Sequence, residues 1–225
     1  MRDNGWMLEF TLRGGPGSSA EAELEVKRSR FLCRVTRVET EDEARDAIES
    51  ARKTHWDARH HCSAFVIGSA TEPSQIRRSN DDGEPSGTAG RPILDAVHGR
   101  NLIDCVAVVS RYFGGTLLGT GGLIRAYSDA VALAVDDARN QNGLVTRERR
   151  ELFRLALAHS DAGRVEAELR QHGVTVLGTE YGALAITTIA VAAADAAAVG
   201  ERVAGITSGA GALETAGFEW VDVAI

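Results

Sequence analysis

The sequence predicts an α+β chain of two domains, and three observations carry that reading. Apolar runs of strand length, rich in β-branched residues, alternate with stretches of helical periodicity. From residue 151 onward the elements follow in the order βαββαβ, the split βαβ arrangement of ferredoxin-like domains. Between the two parts, RNQNGLVT at 140–147 reads as a linker. The expected layout is a flexible arm over 1–20, marked by GGPGSSA at 14–20, a first domain over 21–140 and a ferredoxin-like domain over 148–225.

In chain order, ELEVKRSRFLCRVTRV (23–38) partly alternates and reads as two short strands or one bent strand. Thr40 and Glu43 have the spacing of a capping box ahead of a helix at 41–54. CSAFVIG (62–68) is a buried strand, and residues 69–91 read as one long loop. Pro92 suits the first turn of a short helix, PILDAVHG. NLIDCVAVVSRYF (101–113) is a buried strand that feeds a glycine loop and a helix over 120–139. Leu123, Ile124, Tyr127, Val131 and Val135 share one face of that helix. In the second part, ELFRLALAH (151–159) is a strand, and Ser160 or Asp161 caps a helix that ends at Gly173. Strands at 174–181 and 183–191, a helix at 193–204 and a strand at 213–225 complete it.

Composition narrows the function classes. The 225 residues carry a net charge of −7, so nucleic-acid binding is not advertised by the chain as a whole. Residues 1–147 are nearly balanced at −2 and residues 148–225 carry −5, so an anion-binding patch belongs in the first part. Three scattered cysteines (Cys33, Cys62, Cys105) and an N-terminus without a signal pattern read as a cytoplasmic protein with reduced thiols. No apolar stretch is long enough to cross a membrane.

Three stretches carry chemistry. In SRYFGGTLLGTGGLIRAYSDA (110–130), five glycines lie between a strand and a helix. Free N–H groups at a helix start favour an anion, and glycine lets a phosphate approach closely. The candidate phosphate site is Arg111, Tyr112, Gly114, Gly115, Gly119, Gly121, Gly122, Arg125 and Tyr127. The arginines supply guanidinium forks, and Tyr112, Phe113 or Tyr127 either stack bases or pack. The bland alternative is that the glycines permit close packing and the arginines pair with Asp81, Asp82 or Glu84. In SNDDGEPSGTAGRPIL (79–94), those three acids either hold Mg²⁺, act as acid and base, or form a solvated turn; Thr88 and Gly90 either cap the next helix or donate to an anion. In ARHHCSAF (58–65), His60 and Cys62 share a strand face, and a buried cysteine beside a hydrogen-bonded histidine is favoured over zinc or a catalytic dyad. No metal or cofactor is expected.

These stretches, together with KRSRF (27–31), resemble the YigZ/IMPACT family in its bacterial two-domain form, over residues 23–138. The resemblance implies that the first domain adopts the two-layer α/β fold of the second domain of a small-subunit ribosomal protein. It also implies that the second domain is similar to the last domain of elongation factor G. A role linked to translation follows, with RNA, the ribosome or a translation-associated protein as partner. Arg59 departs from a small hydroxyl residue, Phe65 from tyrosine and Asn80 from serine; Arg59 either adds a positive group to a site or is neutral. The expected function is a non-enzymatic binding module. The alternatives are an enzyme that uses the DDGEP and glycine loops as one phosphate pocket, and a protein–protein adaptor.

Overall fold

The computed structural model describes residues 8–225. Its elements are β1 (Glu9–Leu12), β2 (Ser19–Val26), β3 (Ser29–Arg37), α1 (Glu41–Thr54), β4 (His60–Ile67), β5 (Ile76–Asn80), α2 (Gly90–His98), β6 (Cys105–Tyr112), α3 (Gly119–Asn140), β7 (Leu144–Leu157), α4 (His159–Gln171), β8 (Thr175–Tyr181), β9 (Ala185–Val191), α5 (Ala196–Ile206) and β10 (Leu213–Ala224). Two units divide the chain, one running to Arg147 and including Asp222–Ile225, the other Glu148–Val221.

In the first unit an antiparallel sheet runs in the order β2-β3-β6-β4-β5. β2 and β3 form a hairpin in which Val26 pairs with Ser29, leaving a two-residue turn, Lys27–Arg28. Both turn residues have positive φ, 47° and 66°. Such a tight hairpin turn needs this geometry to match strand twist, and usually finds it in Asn-Gly. Strand alternation sends Phe31, Cys33 and Val35 to one face, where they pack with Cys62, Ala64, Ala107 and Val109 against α2 and α3. The opposite face carries Phe65, Val106 and Val108, which α1 covers through Ala44, Ala47, Ile48 and Ala51. Helices therefore lie on both faces, which corrects the expected two-layer arrangement: Phe65, Val106 and Val108 make the second face apolar as well.

α1 starts as the sequence indicates. Thr40 accepts from the Glu43 N–H at 3.2 Å, and the Glu43 carboxylate accepts from the Thr40 N–H at 3.3 Å. Two other expectations change. The expected arm over 1–20 is ordered where it is described: β1 pairs with Leu144–Arg147 of β7, and β2 begins at Ser19. Residues 1–7 of that arm lie outside the described residues. The expected linker at 140–147 is instead a tight turn followed by strand, with Leu144, Val145 and Thr146 buried. The loop expected over 69–91 contains β5, whose polar sequence IRRSN hides a strand paired along β4. In α3, Ile124 is 40% exposed, whereas Leu123, Tyr127, Val131 and Val135 are buried.

The second unit has the element order βαββαβ, with β9 between β7 and β8 and with β10 paired to β7. Leu155, Leu157, Val165, Leu169, Ile189 and Val203 form its core. α4 is not capped by Ser160 or Asp161; Ala158 holds the cap position without a side-chain bond. A single 3₁₀ turn, Ala193–Asp195, precedes α5. No helix of the described residues is long and apolar enough to cross a membrane.

Candidate functional site

The register of three strands brings the sequence motifs together at one end of the first sheet. Arg30 of β3 pairs with Tyr112 of β6, and His60 of β4 pairs with Arg111 of β6. The glycine loop leaves from this end, and the DDGEP loop returns to it through β5.

Glu84 is the centre of the arrangement. Its side chain is buried, and one oxygen, Oε1, accepts from Arg111 Nη1 at 2.5 Å and from the Tyr127 hydroxyl at 2.8 Å. His60 Nε2 lies 4.0 Å from the same oxygen. The other nitrogen of His60 is 2.8 Å from the Asp82 carbonyl oxygen, so Nδ1 carries the proton. Cys62 Sγ lies 3.0 Å from the Asp81 carbonyl oxygen and 3.3 Å from the Tyr127 hydroxyl. Burial pushes the Cys62 thiol up to about 12, so the group is inert. Burial also raises Tyr127, whose hydroxyl is further held by Cys62 and Glu84.

The other two acids of the loop are structural. Asp81 accepts from the N–H groups of Gly87, Ala89 and Gly90, at 2.8, 3.0 and 2.8 Å. Its carboxylate thus caps α2, and the N–H groups of Ala89 and Gly90 donate to Asp81 rather than to a ligand. Partial burial works to raise the Asp81 carboxyl, but the three backbone donors outweigh it and hold the group below its ordinary value. Asp82 accepts from Arg52 at 2.8 Å and from the His61 N–H at 2.6 Å, in a left-handed backbone conformation (φ 45°). Thr88 bonds back to the Pro85 carbonyl at 2.6 Å. Gly90 passes so close to β5 that a Cβ would lie 2.7 Å from Asn80. Among the described residues no group of three or more His, Cys, Asp or Glu is placed to hold a metal ion.

The candidate phosphate site separates into buried and open parts. Arg111 is 7% exposed and neutralised by Glu84, and it stacks on Phe31 and Phe113 with its guanidinium 5.5 and 5.8 Å from the ring centres. Tyr127 is fully buried, edge-on to Phe31 at 5.1 Å, so it packs and cannot stack a base. The Tyr112 hydroxyl donates to Asp57 at 3.1 Å and meets His55 Nδ1 at 3.3 Å, with Arg30 over its ring. Gly114 presses against the β2–β3 hairpin: its N–H donates to Ser29 Oγ at 3.1 Å, and a Cβ there would stand 2.0 Å from the Arg28 carbonyl carbon. Gly115 and Gly119 have positive φ (81° and 71°), and Gly122 lies against Leu118. At Gly121, within α3, a Cβ would meet nothing within 4 Å. α3 has no side-chain cap, and Arg125, exposed near its start, makes no ion pair among the described residues.

Sequence reading missed the exposed neighbour of this end, Trp56, 81% exposed just after α1. Its only signal is an aromatic residue in an otherwise polar run, KTHWDARHH.

Comparison with known proteins gives a consistent picture. The Impact N-terminal domain matches residues 27–135, and a domain of unknown function (DUF1949) matches residues 155–210. The IMPACT family member YvyE of Bacillus subtilis (strain 168) is 45% identical over 153 residues, 68% of this chain and 67% of that protein. The IMPACT family member YigZ of Escherichia coli (strain K12) is 36% identical over 185 residues, 82% of this chain and 88% of that protein. A crystal structure of a hypothetical protein superposes with a TM-score of 0.59 at 34% identity, covering 92% of this chain and 97% of that one.

Proposed function

This chain belongs to the IMPACT family, and from that membership we propose that it is a non-enzymatic, translation-linked regulator that binds RNA, alone or within the ribosome, beside its glycine loop. The observation that carries the reading is the glycine-rich, uncapped start of α3 with the exposed Arg125 beside it. A glycine inside a helix costs about 1 kcal/mol relative to alanine. At Gly121 no neighbouring atom and no positive φ requires it. Such openness also occurs at Gly163, Gly200 and Gly205; what sets Gly121 apart is its place in the uncapped start of α3, which offers N–H groups to an anion. Arg125 supplies an unpaired cation beside it. Arg111, in this reading, holds the loop in place through Glu84 and does not itself touch phosphate.

The pocket-enzyme alternative is less well supported, because the acids of the DDGEP loop already have protein donors: three N–H groups on Asp81, Arg52 and His61 on Asp82, and Arg111 and Tyr127 on Glu84.

Co-sedimentation with purified ribosomes tests the proposal. Gly121→Ala is expected to raise the melting temperature, through helix propensity, and to lower the bound fraction; Arg125→Ala is expected to lower binding without changing stability. Unchanged binding by both variants, or no binding by the wild type, contradicts it.

A further inference from the structure

We propose that the end of the first sheet is a binding platform for single-stranded RNA, built from the hairpin tip Lys27–Arg28, Arg59, Phe113 and Trp56. The inference rests on the RNA-binding reading above and assigns contacts which that reading does not use.

The strand register sets the geometry. Beyond the aligned positions Arg30, Tyr112 and His60, each chain continues by a few residues past the sheet's end. β3 is preceded by Lys27–Arg28, β6 is followed by Phe113, and β4 is preceded by Arg59. Neighbouring strands lie about 4.8 Å apart, so these groups form a row about 10 Å long. Gly114 fastens the hairpin to the loop after Phe113, since its α-carbon lies against the Arg28 backbone. The Arg59 guanidinium sits 5.7 Å from the Phe113 ring centre. Trp56 flanks the row, between His55 and Asp57, both of which touch the Tyr112 hydroxyl.

Charge and exposure identify the partner. Lys27, Arg28 and Arg59 are exposed and make no ion pair among the described residues. The acids nearby are mostly engaged: Glu23 by Arg30, Asp57 by Tyr112 and Glu84 by Arg111, with Glu25 exposed across from Arg30. Phe113 is 42% exposed and Trp56 is 81% exposed. Exposed cations beside exposed aromatic groups suit a strand whose bases are unpaired: Lys27 and Arg28 meet phosphates, and Trp56 and the Arg59 guanidinium that lies over the Phe113 ring meet bases. A duplex would hide its base faces and leave Trp56 and the Arg59–Phe113 stack without a partner.

The hairpin tip adds an independent sign. Lys and Arg occupy the two left-handed positions where Asn and Gly are favoured. The turn therefore displays two cations at the expense of its own preferred sequence.

The test is fluorescence anisotropy of the full chain with a labelled, unstructured 20-nucleotide RNA, at several salt concentrations. Lys27→Asn with Arg28→Gly installs the residues the turn prefers. This double variant is expected to melt higher than wild type, to bind about tenfold more weakly and to flatten the log–log salt slope by about 1.4, two phosphates at about 0.7 each. Lys27→Gln with Arg28→Gln, which keeps the strained turn, should lose the same affinity and slope. Phe113→Leu and Trp56→Leu should each weaken binding about 5- to 100-fold with the slope unchanged, as lost stacking does. If wild type binds this RNA and all four variants bind equally well, the platform is wrong while the RNA-binding reading stands. Tighter binding to an equal-length duplex overturns the single-strand assignment. If wild type binds neither this RNA nor ribosomes, the underlying reading fails as well.

Discussion

At the residue scale, the site turns on Glu84. Its carboxylate is the shared acceptor of Arg111 and Tyr127 in a buried setting. Removing one partner of a buried ion pair leaves the other charge uncompensated and costs about 3–5 kcal/mol. Glu84→Ala is therefore expected to lower the melting temperature by on the order of 10 °C, at about 2–4 °C per kcal/mol for a chain of this size. Glu84→Gln, which keeps an acceptor oxygen but not the charge, should lose less; a Glu84→Gln variant as stable as wild type would show that the charge of the pair contributes nothing. The cysteines give a second check. All three are free and buried, with Cys33 and Cys62 each pushed up to about 12 by burial. Ellman's reagent at pH 8 should find no reactive thiol in the native protein and three after unfolding; rapid reaction of the native protein would contradict the packing. Spacing could show that Arg111 and the DDGEP acids were suited to meet. It could not choose Glu84 over Asp81, because that choice depends on which acid the β5 pairing carries inward.

Among elements, the legible ones announce themselves by local chemistry. The α1 capping box, the β6 apolar run and the periodicity of α3 each specify their structure within a few residues. β5 is illegible for the opposite reason: IRRSN has little apolar content and becomes a strand only by pairing with β4. α2 is a mixed case. Its Pro92 is readable, but its cap, Asp81, lies nine residues from Gly90 and is delivered by the loop. This arrangement predicts a pH dependence. The Asp81 carboxyl sits below its ordinary value when folded, so its stabilisation is fully present above the unfolded value of about 3.9 and is lost as pH falls through the folded one. Asp81→Ala should cost about 1–3 kcal/mol at pH 7, from three N–H groups left without an acceptor. The gap between variant and wild type in thermal melts should start to narrow as pH falls below about 4 and should close only once the pH is below the folded value; a gap that stays constant through that whole range would mean the carboxylate charge is not what caps α2.

For the whole molecule, the sequence order βαββαβ over the second unit is visible because each element is long and regular, and the structure shows the same order. The first unit was less open to reading. Its second helical layer follows from Phe65, Val106 and Val108 facing α1, and that facing is set by register with β6, which a single strand cannot reveal. The chain's acidity likewise concealed the open cations at one sheet end, since a net charge of −7 averages over groups that the fold separates. The account's central claim is that Lys27 and Arg28 among them, with Arg125, contact RNA phosphates. Its most direct test is the salt dependence of wild-type affinity for single-stranded RNA. Three contacts at about 0.7 each predict a log–log slope of about −2; an affinity that does not change with salt would contradict the claim.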